Sequence, residues 1–164
     1  MIALTLENAK ADALARFADT GPDRLNCAQA VLRFALLVTG LDPDLVVAGR
    51  YLGGGIARTG EACGAVTGAA LALGVWDGQL PEQTPEQIAL TVERLQGLLR
   101  DFAAEFGSRR CHELTGHDLG TPEGYRAFRE STAHERCPGY VAWVCDRLAP
   151  LLTNVGLPVD PVRS

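Results

Sequence analysis

Residues 23–39 read DRLNCAQAVLRFALLVT, and the fold turns on how this stretch is read. Cys27, Ala30, Val31, Phe34, Leu37 and Val38 recur at three- and four-residue intervals, the spacing that lines up one face of an α-helix. So wide an apolar stripe marks a mostly buried helix. Gly21-Pro22 precedes it, Asp23 supplies an acidic first turn, and Gly40 stops it.

Outward from this segment the helical period persists. Residues 5–19 carry Leu6, Ala9, Ala13, Leu14 and Phe17 on one face and end at Thr20-Gly21-Pro22. Asp42-Pro43-Asp44 starts a short helix to about Tyr51, where Gly53-Gly54-Gly55 breaks it and opens conformations of positive φ. Residues 61–74 predict a helix rich in alanine, with Gly60, Gly64 and Gly68 four apart as a smooth packing face. Thr84-Pro85-Glu86-Gln87 combines a capping threonine, a proline at the first helical position and a glutamine three residues past the cap. A long helix over 85–106 follows, ended by Gly107. A short turn near 109–114, a helix over 122–133 and a last helix over 138–152 complete the chain. No apolar/polar alternation is sustained and no repeat is present. The expectation is a single all-α domain over 1–152, a bundle of six to seven helices. Residues 153–164 form a tail that packs loosely or joins a homodimer contact.

Fifteen basic and 20 acidic side chains give a net charge of −5 over 164 residues. A chain of this size buries about 70% of its unfolded surface, so its core needs neither metal nor disulfide, and either would serve function. With a pI near 5.2 and Lys10 the only lysine, the electrostatic footprint of a nucleic-acid or anionic-membrane binder is missing. The longest nearly apolar run, 65–76, falls short of the ~20 residues of a spanning helix. Glu7, Lys10 and Asp12 near the start do not fit a secretory signal, so a cytoplasmic protein is expected.

Attention falls on five cysteines, Cys27, Cys63, Cys111, Cys137 and Cys145, none of them in a Cys-x-x-Cys pair. An odd number in a reducing compartment argues against a static disulfide framework. Cys63 precedes Gly64-Ala65, Cys111 follows Ser108, and Cys137 precedes Pro138, so all three fall at predicted helix starts. Unpaired N–H groups there favour thiolate over thiol. Cys27 is expected in the second turn of its helix, facing inward. Cys145, among Val141, Val144 and Leu148, reads as a core residue, the usual role of a lone helical cysteine.

Asn26-Cys27-Ala28-Gln29-Ala30-Val31, Gly53-Gly54-Gly55, Cys63-Gly64-Ala65-Val66-Thr67-Gly68, Phe106-Gly107-Ser108, Cys111-His112-Glu113-Leu114-Thr115-Gly116 and Cys137 follow one another in this order. Together they resemble the C_GCAxxG_C_C family of redox-active proteins over residues 20–150. The resemblance implies that the family's four cysteines fall on Cys27, Cys63, Cys111 and Cys137, and that Cys145 has no counterpart. It also suggests a related domain in some multi-cofactor electron-transfer proteins, but without Cys-x-x-Cys-His no covalent haem is expected.

Three chemistries suit this set. Four thiolates can bind an iron–sulfur cluster for electron transfer to a redox partner protein, with Gly64, Gly68 and the 53–55 glycines bringing backbone N–H groups to the cluster sulfurs. That reading comes first. Metal-free thiol–disulfide exchange would use Cys63 as attacking thiolate and Cys111 or Cys137 to resolve. A zinc-binding interaction module would use the same four ligands without redox change. On this basis Cys63→Ser is expected to abolish cofactor binding or thiol reactivity and Cys145→Ser to leave it. His112 is a candidate base or ligand, ahead of His117 and His134. Arg109 and Arg110 beside Ser108 could take an anion or form a solvated face. The 53–55 glycines lack the Gly-Lys-Ser/Thr of a phosphate loop, and Trp76, Trp143 and Tyr140 read as core or interface aromatics.

Overall fold

The computed structural model describes residues 2–153, and among them every regular element is helical. Seven α-helices run in order: α1 Leu6–Ala18, α2 Cys27–Thr39, α3 Gly64–Asp77, α4 Pro85–Phe106, α5 Cys111–Thr115, α6 Pro122–Glu130 and α7 Cys137–Thr153. Two 3₁₀ turns, Pro43–Gly49 and Thr132–Arg136, lie between them. The expected all-α class is the class observed. The tail expected over 153–164 lies outside the described residues apart from Thr153.

Helix α2 is the central rod, packed by α1, α3, α7 and the Pro43–Gly49 turn. Leu32, Phe34 and Leu36 are buried on it, each worth roughly 1.5–3 kcal/mol of removal from water. Its start is four residues later than expected. Asn26 caps it, accepting from the N–H groups of Ala28 and Gln29, while the Gln29 side chain accepts from the Asn26 N–H. This reciprocal box satisfies donors that Asp23, further out, could not reach. Cys27 therefore occupies the first helical position, not the second turn.

Helix α3 also begins later than expected, at Gly64. Of the three spaced glycines, only Gly64 and Gly68 lie on it, and both meet α2. A Cβ on Gly68 would stand 2.7 Å from the Ala28 carbonyl oxygen, and one on Gly64 would stand 2.9 Å from the Cys27 Cβ. The helices touch through backbone there. Gly60 sits in the preceding loop at φ +76°. Helix α4 starts on the expected capping box of Thr84 and Gln87, but buries only Leu98 and Phe102. Phe102 and Phe106 stack edgewise on Tyr140 and Trp143 of α7, so these two aromatics join the core as expected.

Candidate functional site

Cys27, Cys63, Cys111 and Cys137 all stand at helix starts. Cys27, Cys111 and Cys137 are first residues of α2, α5 and α7, and Cys63 is the residue before α3. Two backbone devices bring them together. An isolated antiparallel bridge joins Ala62 to Arg110, with the Cys63 N–H donating to the Arg109 carbonyl at 2.8 Å and the Cys111 N–H to the Glu61 carbonyl at 2.7 Å. This ties Cys63 to Cys111. The close seating of Gly64 on Cys27 then brings the α3 start against the α2 start.

Between α2 and α3 the chain makes an unusual turn. Gly54, Gly55, Ile56, Ala57 and Arg58 all have φ between +51° and +73°, a full turn of left-handed backbone. Each non-glycine residue there costs about 1–2 kcal/mol, so the surroundings must hold it. Hydrogen bonds from the Ala57 N–H to the Tyr51 carbonyl at 2.7 Å and from the Glu61 N–H to the Gly55 carbonyl at 3.0 Å do so. Gly55 admits no side chain, since a Cβ would come within 2.8 Å of the Cys111 Cβ.

The four thiols have unlike electrostatic settings. Cys27 and Cys137 share a hydrogen bond, which acts first on both. It lowers the Cys137 pKa, burial opposes it, and the Arg136 and Arg24 guanidiniums lower it further. Cys27, the donor of the pair, is raised well above the ordinary value by that bond, then by burial and the neighbouring cysteines. Burial pushes Cys63 up to about 12, outweighing the Ala65 and Val66 N–H groups aimed at its sulfur. Cys111 is pushed to about 11, first by burial and then by Cys137. A helix start thus stabilises a thiolate only where water or another donor adds to it, and Cys63 is too dry.

Cys145 stands apart, fully buried, raised to about 12 by burial and next by Asp146, with no influence from the other four cysteines. Its expected place in the core is the observed one. His112 is exposed, its Nδ1 3.1 Å from the His117 carbonyl oxygen. Arg110 is occupied by Glu61 at 3.2 Å and Glu113 at 3.9 Å. Of the two arginines weighed beside Ser108, Arg110 is thus taken by the protein's own carboxylates.

Cys27, Cys111 and Cys137 open onto a cleft of about 660 Å³. Its rim carries Arg24, Arg50, Arg58 and Arg129. Tyr51, Tyr125 and Phe128 form aromatic walls, and Arg58 lies 4.3 Å over the Tyr125 ring. His134 also lines the cleft, with a buried Nδ1 that meets no hydrogen-bond partner. The sequence reading named His134 but missed the arginines and the aromatic walls, because they come from separate segments. The one available signal was His134 three residues before Cys137.

The donor chemistry of four cysteines suits soft metals. As the side chains stand, however, no group of three or more His, Cys, Asp or Glu among the described residues is arranged to hold a metal ion. Among the described residues no helix is long and apolar enough to cross a membrane.

A sequence model of one family, described as "Putative redox-active protein (C_GCAxxG_C_C)", matches residues 25–151. No curated protein and no solved structure matches the chain.

Proposed function

The chain belongs to the C_GCAxxG_C_C family of redox-active proteins, and on that premise we propose that it carries out thiol–disulfide exchange through Cys137 and Cys27. The observation that supports this most directly is that Cys27 and Cys137, first residues of α2 and α7, line the same cleft and act on one another, with Cys137 shifted toward thiolate and Cys27 toward thiol. That polarisation matches an attacking and a resolving cysteine.

The Cys137 thiolate attacks one sulfur of a substrate disulfide, forming a mixed disulfide and expelling the other half as a thiolate. That leaving thiolate takes the proton of Cys27. The Cys27 thiolate then attacks the Cys137 Sγ and releases the second half as a thiolate. The substrate gains two electrons, and the protein ends with a Cys27–Cys137 disulfide. Cys63 and Cys111 are both held as thiols by burial and take no part in the exchange.

The test is mass spectrometry of the reduced protein after a small neutral disulfide is added. Native protein is expected to lose two hydrogens without retaining an adduct. Cys27→Ser should accumulate one adduct on Cys137, and Cys137→Ser should do neither. An adduct on Cys63 instead, or no oxidation, overturns the reading.

A second reading, an iron–sulfur cluster on Cys27, Cys63, Cys111 and Cys137, is favoured by the mutual electrostatic influence of all four sulfurs. The side chains as they stand do not fit it, or a zinc ion on the same ligands, because no three of them form a metal-holding group. Side-chain rotation toward a common centre would be required. Iron with acid-labile sulfide in anaerobically isolated protein would establish the cluster in place of the dithiol, and stoichiometric zinc alone would establish the structural site.

A further inference from the structure

The cleft over the thiols is far more cationic than the protein around it. The chain carries a net charge of −5, yet Arg24, Arg50, Arg58 and Arg129 converge on one cleft that no carboxylate lines among the described residues. None of these four takes part in the ion pairs of the described residues, which engage Arg16, Arg33, Arg110, Arg126 and Arg147 instead. Guanidiniums gathered without counter-charges in a concave site focus a positive field into it.

The ligand's shape is constrained as well. About 660 Å³ is the size of a small-molecule pocket, too confined for a protein domain to enter. Tyr51, Tyr125 and Phe128 offer apolar walls for a short carbon or sulfur chain. Arg58, resting on the Tyr125 face, keeps its N–H edges free for a planar carboxylate. The left-handed 54–58 turn delivers that arginine to the cleft.

We propose that this cleft binds a small, carboxylate-bearing anion, and that the substrate of the thiol pair is a disulfide of that class, held by its carboxylates on the arginines with its S–S bond over Cys137. The binding half stands on the cleft alone, and the reactive half rests on the exchange reading above. With the disulfide written R–S–S–R, the Cys137 thiolate bonds to one sulfur and breaks the S–S bond. The first R–S⁻ leaves with the Cys27 proton, and the second leaves as thiolate when the protein disulfide closes.

Three disulfides of similar length separate charge from reactivity: dianionic 3,3′-dithiodipropionate, neutral bis(2-hydroxyethyl) disulfide and dicationic cystamine. Suberate, which replaces the S–S bond of the first with carbon, reports binding without chemistry. The dianion is expected to oxidise the reduced protein about tenfold faster than the neutral compound at low salt, with cystamine slowest. Added salt should compress the series. Suberate should bind by calorimetry and slow the dianion competitively. In Arg50→Gln/Arg129→Gln, the dianion-to-neutral ratio should fall about threefold or more. Oxidation by the neutral disulfide with no charge preference and no suberate binding overturns the inference and leaves the exchange reading standing. Suberate binding without oxidation by any of the three overturns the exchange reading and keeps the anion site.

Discussion

Cys27 and Cys137, the first residues of α2 and α7, line one cleft, and each acts on the other's thiol more strongly than any other side chain does. The Arg136 and Arg24 guanidiniums add positive charge on the Cys137 side. One sulfur is thereby biased to be the anion and the other to be its donor.

Native alkylation should therefore modify Cys137 first. Its rate against pH should show an inflection below the ordinary thiol value of 9.0, whereas Cys63 and Cys145 stay unmodified near neutrality. Arg24→Gln should move the inflection upward and slow alkylation at neutral pH about two- to threefold. Peptide mapping after a short iodoacetamide pulse reads this directly, and initial labelling of Cys63 would contradict it.

Stability should decline in alkali. Cys63 and Cys145 are raised from 9.0 to about 12, so above pH 9 the unfolded chain has released their protons while the folded chain still holds them. Their contribution is complete below that pH and is lost as pH climbs toward the folded values. The slope is up to about 1.4 kcal/mol per pH unit for each thiol. Cys145→Ala should cost about 1 kcal/mol at pH 7 and flatten the alkaline slope. Urea midpoints measured from pH 7 to 11 check both, and a pH-independent midpoint would refute the buried-thiol assignment.

Two glycines of α3 should respond oppositely to alanine. At Gly68 the new Cβ meets the Ala28 carbonyl at 2.7 Å and its Cα at 2.9 Å, backbone atoms that cannot turn aside. A loss of about 1–3 kcal/mol is expected. Gly74 has nothing within 4 Å of the same position, so Gly74→Ala should gain up to about 1 kcal/mol. Paired urea titrations decide it.

Asn26 should tolerate aspartate no better than alanine. Its Oδ1 caps α2, a role aspartate fills equally well, but its Nδ2 donates to the Gly49 and Arg50 carbonyls at 3.1 and 2.9 Å. Aspartate would turn a carboxylate oxygen toward those two carbonyls. Asn26→Ala should cost about 2 kcal/mol and Asn26→Asp at least as much. If Asn26→Asp matched native stability in thermal unfolding, the two Nδ2 bonds would carry no weight.

Much of the architecture was legible because helices announce themselves locally. The Thr84/Gln87 box, the stop at Gly107 and the apolar stripe through Val31 and Phe34 lie within a few residues of the structure they specify. Where the reading slipped, as at the starts of α2 and α3, a nearby alternative competed. Asp23 looked like a first-turn acid until the Asn26 box proved to hold the cap, and Gly60 shared a spacing with Gly64 and Gly68 while belonging to a loop. The separation of Cys145 from the other four cysteines was also visible, because its apolar neighbours are its own helical ones.

The sequence by itself determined the helical class and the order of the elements, since periodicity and caps are local properties of the chain. Which thiols meet, which of them titrates low, and that Arg24, Arg50, Arg58 and Arg129 ring one cleft were decided only by the tertiary structure. Burial and Coulomb interaction depend on distances through space. Residues as remote in the chain as Arg24 and Arg129 acquire a common field only after α2, the left-handed turn and the segment leading into α7 have packed around the same point.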